Sequence, residues 1–120
     1  MLAYRLRHRI SFQQLVTEQD SDGRRTEVWR NVWLDSDTEL VDVPAEVLTG
    51  AGREFQGGNA TQAETSARIN LRWFPAGDSE MMKWRILWDG RTYGILSVET
   101  DRTARREWRL RCMAGPTKGR

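Results

Sequence analysis

The stretch Trp84-Arg85-Ile86-Leu87-Trp88-Asp89-Gly90-Arg91-Thr92-Tyr93-Gly94-Ile95 decides the fold class. Asp-Gly is what a two-residue type I′ turn favours, because both central residues take positive φ and glycine does so without steric cost. A two-residue loop fixes the register: Trp88 falls opposite Arg91, Ile86 opposite Tyr93 and Trp84 opposite Ile95. The large apolar side chains then share one face. Turn chemistry and hydrophobic pattern agree on an antiparallel hairpin with one buried side.

The same period of two extends outward from that hairpin. Downstream, Trp108, Leu110 and Cys112 alternate with Glu107, Arg109 and Arg111, which makes Cys112 a small core hydrophobe. Upstream, Ala67, Ile69, Leu71 and Trp73 alternate with Arg68, Asn70 and Arg72 until Pro75-Ala76-Gly77-Asp78 ends the run. Val41, Val43, Ala45 and Val47 alternate with Asp42, Pro44 and Glu46. Pro44 has no amide N–H to give a ladder, which predicts an edge or a bulge there. A strand around residues 9–16 carries Ile10, Phe12 and Val16; another around 26–34, less cleanly two-sided, follows the turn-prone Asp20-Ser21-Asp22-Gly23. Six or seven short strands must close or stack to bury their apolar faces, so the expected fold is all-β, a small antiparallel β-barrel. At 120 residues the chain is about one domain, expected over residues 1–113 with 114–120 as a flexible tail. One segment breaks the rhythm: residues 49–64, with four glycines (Gly50, Gly52, Gly57, Gly58) and a polar remainder, are expected to form a long mobile loop.

Composition narrows the function classes. Hydrophobic residues at 38% and charged residues at 30% suit a folded domain. The longest charge-free run is too short to cross a bilayer, and Met1 to Arg9 lack the apolar stretch of a signal peptide, so no membrane partner and no signal-directed export are expected. Cys112 is the single cysteine, which excludes an internal disulfide and a cysteine-based zinc site. Arginine supplies 17 of the 19 basic residues. Arg5, Arg7 and Arg9 sit in an acid-free N-terminus, and Arg102, Arg105, Arg106, Arg109 and Arg111 crowd the C-terminal strand. Between residues 35 and 54, Asp35, Asp37, Glu39, Asp42, Glu46 and Glu54 face only Arg53. Such separation suits head-to-tail packing of subunits or a polyanionic neighbour, or else solvated strand faces.

Catalytic chemistry finds few footholds. His8 is the single histidine and lies among arginines, so no triad or metal cluster is assigned. The glycine-rich segment has no Gly-Lys-Ser/Thr and is not a phosphate loop. Asp35, Asp37, Glu39 and Glu46 match the acidic spacing of a calcium loop, but Leu40 occupies the position that requires glycine, and the flanks alternate as strands. No catalytic residue, metal or cofactor is expected. A single-strand-binding barrel would use Arg105, Arg109 and Arg111 with Trp73, Trp84 and Trp108, yet on a regular strand Trp108 faces away from Arg109 and Arg111. Six tryptophans are many for so small a core, and partly buried ones would be available to a partner.

The ordered set of motifs resembles the head-tail joining, or head closure, proteins of tailed bacteriophages and prophages. It runs from Leu6-Arg7-His8-Arg9-Ile10 and Phe12-Gln13 through Val43-Pro44-Ala45-Glu46-Val47, Gly52-Arg53-Glu54-Phe55 and Ala67 to Trp73. It ends with Met82 to Ile95 and a final basic strand. The likeness covers roughly residues 4–113; Leu48, where the family often has proline, and the longer approach Thr49-Gly50-Ala51 depart from it. The resemblance implies a non-enzymatic virion assembly protein, a β-barrel that forms a ring under the portal or connector, closes the DNA-filled head and docks the tail. It implies as partners the portal or connector, a tail or tail-completion protein, further copies of the chain and packaged double-stranded DNA. Its implied place is the virion head-tail junction, or the bacterial cytoplasm during assembly or from a prophage. A tail-completion protein at the same junction is the alternative. Carried over by position, the channel loop comprises Gly50, Gly52, Arg53, Glu54, Phe55, Gln56, Gly57 and Gly58. The separated charges make Asp35, Asp37, Glu39, Arg105, Arg109 and Arg111 candidates for the contact between subunits.

Overall fold

Asp89 and Gly90 adopt φ of 54° and 74°, and the strands they join pair as Trp88↔Arg91 and Ile86↔Tyr93. The hairpin thus has the register that its turn dictates. In this computed structural model residues 5–49 and 65–114 are described. The elements are β1 (His8–Gln19), β2 (Arg25–Asn31), β3 (Trp33–Asp35), β4 (Thr38–Glu39), β5 (Val43–Thr49), β6 (Thr65–Arg72), α1 (Asp78–Met81), β7 (Arg85–Trp88), β8 (Arg91–Thr100) and β9 (Glu107–Ala114).

Antiparallel pairings run from β1 to β5, β6, β9, β8 and β7 and return to β1, a ring of hydrogen bonds through six strands. β1 is long enough to serve two neighbours along one edge. His8–Ile10 pair with β5 and Gln13–Gln19 with β2. Between them the Phe12 N–H donates to the Leu40 carbonyl, and the Val32 N–H donates to the Phe12 carbonyl. The outer half of β1 and all of β2 therefore stand as a two-stranded arm off the ring. Alternation fills the interior with Ile10, Phe12, Ala45, Ile69, Leu71, Ile86, Tyr93, Leu110 and Cys112. At one end the rings of Phe12, Phe74, Trp84 and Trp108 pack edge-on and stacked, 5.5 to 6.4 Å apart. The Trp108 Nε1–H donates to the Phe74 carbonyl, so the buried indole also has its polar atom satisfied.

Several details depart from simple alternation. Leu40 is buried and Val41 exposed, because Asp42 takes a left-handed φ of 56° and restarts the pattern at Val43. Asp42 is held there by its N–H donating to Ser11 Oγ. Pro44 lies not on an edge strand but one residue inside β5, where the ladder to β6 has not yet begun, so its missing N–H costs little. The β7–β8 ladder stops at Arg85↔Gly94; Trp84 instead follows α1, its N–H donating to the Met81 carbonyl, yet both Trp84 and Ile95 are buried. Asn70 points outward but is buried, because its amide donates to Glu46 Oε1. β9 continues through a buried Ala114.

Because every pairing is antiparallel, the connections sort to two ends. Thr49, Thr65 and the Asp89-Gly90 turn lie at one. The β3–β4 hairpin, the β6–α1 connection and the β8–β9 turn lie at the other, called here the loop end.

Candidate subunit interface at the loop end

The β3–β4 hairpin follows from a local conflict. Val32, Trp33 and Leu34 are three consecutive apolar residues on extended backbone, so the middle one must face away from its neighbours. Val32 is buried, Leu34 half-buried and Trp33 53% exposed, the most exposed tryptophan among the described residues. Asp35, Asp37 and Glu39 stand beside it, all exposed. Asp35 accepts the Asp37 N–H at 2.8 Å, and this bond first, then the Thr38 hydroxyl, holds its carboxyl below the usual aspartate range. The hairpin thus stays anionic without a cation: residues 33–42 carry four acids and no Lys or Arg.

The β8–β9 turn is the basic counterpart. Asp101 accepts the Thr103 and Ala104 N–H groups and, through its own carbonyl, that of Arg105. Closing that turn sets Arg105 at a left-handed φ of 50°, a conformation that costs a residue with a side chain about 1–2 kcal/mol. The strain places the Arg105 guanidinium over the Trp73 ring, 5.3 Å from its centroid. Beside them lies a cleft of about 380 Å³, its lining including Trp73, Pro75, Ala76, Asp78, Arg102 and Arg105. Arg102 is tied to Asp78 at 2.9 Å, whereas Arg105 and Arg106 make no salt bridge among the described residues.

In the ring order the hairpin stands at the β1–β5 seam and the turn at the β8–β9 seam, three strands apart in either direction. The acidic and basic features therefore share one end and occupy opposite walls.

The residues expected to carry function are distributed unevenly. Asp35, Asp37 and Glu39 come together on the hairpin. The arginines do not form one patch: Arg105 is in the turn, Arg109 is half-buried beside Glu107 at 3.2 Å, and Arg111 is exposed further along β9 opposite Arg68. Charge separation along the sequence is also partly cancelled in space, since Arg5 binds Glu46 through two bonds of 2.6 and 3.0 Å. That places Glu46 on β5 with Arg5 and Asn70, away from the other acids of the calcium-like spacing. Trp84 and Trp108 are buried, which removes two of the three rings a single-strand platform would need. Gly50, Gly52, Arg53, Glu54, Phe55, Gln56, Gly57 and Gly58 lie outside the described residues. Among the described residues no helix is long and apolar enough to cross a membrane. Trp33 is absent from the residues singled out from sequence, although the Val32-Trp33-Leu34 triplet signals it; Trp73 and Arg105, expected as parts of a single-strand platform, meet instead at the cleft.

A family model described as phage head completion protein matches residues 1–115. The fold is similar to the solution structure of protein SF1141 from Shigella flexneri 2a, at 24% identity and a TM-score of 0.64, covering 98% of this chain and 100% of that one. It is also similar to a chain in the virion of a native gene transfer agent particle, at 22% identity and a TM-score of 0.58, covering 89% and 93% of the two chains. No curated protein matches.

Proposed function

The chain belongs to the phage head completion protein family, and on that premise we propose that it acts without catalysis at the head-tail junction, as a ring of copies under the portal or connector. The ring closes the DNA-filled head and offers a seat to the tail. The family match across residues 1–115 is the observation that carries this reading. Its physical support is the two-ended build of the subunit. Thr49 and Thr65, from which the segment 50–64 departs, lie at one end, and the charged hairpin and turn lie at the other. A ring formed through the walls leaves the end at Thr49 and Thr65 free for a partner other than a neighbouring copy. The channel role of residues 50–64 belongs to the same proposal and rests on the family resemblance.

Electron microscopy of DNA-filled heads, with and without the chain, tests the reading. A ring of density on the portal that depends on the chain is the expected result. Density elsewhere in the particle, or none, would refute it.

A further inference from the structure

We propose that neighbouring subunits join by seating Trp33 of one copy in the Trp73 cleft of the next, with the acidic hairpin lying against the basic β8–β9 turn. This rests on the ring reading and names the contact that builds it.

Four observations converge on a second copy as the occupant. Trp33 is the most exposed tryptophan among the described residues, on a hairpin of three acids without a cation. The cleft is open and shallow, with Trp73, Pro75 and Ala76 as its apolar part and the Asp78–Arg102 ion pair beside them. Arg105 at its rim lacks a salt-bridge partner among the described residues and is held there in a strained conformation. A guanidinium already over one ring can meet a second ring and a carboxylate together. Finally, the two features share one end and lie on opposite walls. When subunits stand side by side with parallel axes, a knob on one wall meets a cleft on the other at equal height, which is the heterologous contact that closes rings.

A polyanionic nucleic acid fits less well. It would satisfy the arginines while leaving Trp33 uncovered and the hairpin acids repelled.

The test uses the full chain. Sedimentation over a concentration series compares wild type with Trp33→Ala and Arg105→Gly, the second chosen because glycine accepts the left-handed backbone. Both variants are expected to keep the wild-type far-ultraviolet circular dichroism and a cooperative unfolding transition, and to weaken self-association at least about tenfold. Separately prepared Trp33→Cys and Ala76→Cys chains are expected to form a disulfide-linked dimer on mixing and oxidation, while neither dimerises in this way alone. Wild-type association that survives both substitutions, with no mixed dimer, overturns the contact and leaves the ring to some other surface. A wild-type chain that stays monomeric and yields no mixed dimer also overturns it; the copy number of the chain in assembled heads then judges the ring reading separately.

Discussion

Arg68 and Arg111 face each other directly across the β6–β9 ladder, and both are exposed. Like charges in register are destabilising in a sheet, so this subunit carries a small electrostatic cost on its outer wall. Arg68→Glu converts the pair to an attractive one and is expected to raise stability by about 0.5 kcal/mol. Urea midpoints at low salt would show the gain, and added salt should shrink it. A lower midpoint for the variant would contradict the assignment.

Glu46 gives the fold an acid-sensitive tie. Its carboxylate accepts both Arg5 bonds and the Asn70 amide, and the Arg5 bond above all holds it below the ordinary glutamate value of 4.5. Folding thus favours the charged form. The contribution is present in full above pH 4.5 and is lost as the pH falls through the lower, folded-state value. Glu46→Gln should reduce stability near neutral pH and flatten its fall as the pH drops below the ordinary glutamate value. An unchanged acid limb in the variant's denaturation profile would count against the tie.

Cys112 should be inert in the native subunit. It is 1% exposed, and burial pushes its thiol up to about 12, which leaves almost no thiolate near neutral pH. A disulfide reagent at pH 8 is expected to label it only once denaturant has opened the ring of strands. Stoichiometric labelling of the folded chain within the mixing time would show that the β8–β9 interior is open.

Gly90 holds the hairpin turn by backbone conformation alone. Its φ is 74°, and an added Cβ would meet nothing within 4 Å. Gly90→Ala is therefore expected to cost about 1 kcal/mol, all of it conformational. Thermal unfolding measures this, and a loss several times larger would mean that the turn also packs against something.

The hairpin acids should matter for assembly and hardly at all for folding. Replacing Asp35, Asp37 and Glu39 with Asn, Asn and Gln keeps the side-chain oxygen that accepts the Asp37 N–H while removing three charges. Unfolding midpoints should stay close to wild type, because these groups are exposed and unpaired with cations. The yield of completed particles should fall, and an unchanged yield would sink the charge contribution.

The strands that could be read from sequence are those with one wet and one dry face. In β9 the alternation of Trp108, Leu110 and Cys112 with arginines reports a single interior directly. What could not be read depended on neighbours distant in sequence. Leu40, not Val41, goes inside because Asp42 turns the chain against Ser11. Asn70 is buried through Glu46, and Glu46 is neutralised by Arg5, 41 residues away. The candidate interface had the same fate: the acids were visible as a cluster, but the cleft exists only where β6, the loop after it and the β8–β9 turn converge. Arg109 and Arg111 follow Arg105 in sequence and still lie in different settings, because the turn and the strand direct them apart.

Nuclease protection of packaged DNA tests the central claim most directly. Heads filled in the absence of the chain would be treated with nuclease before and after the purified chain is supplied. The account predicts that such heads lose their DNA and that wild-type chain restores protection. Heads that retain DNA equally well without the chain would contradict a head-closing role.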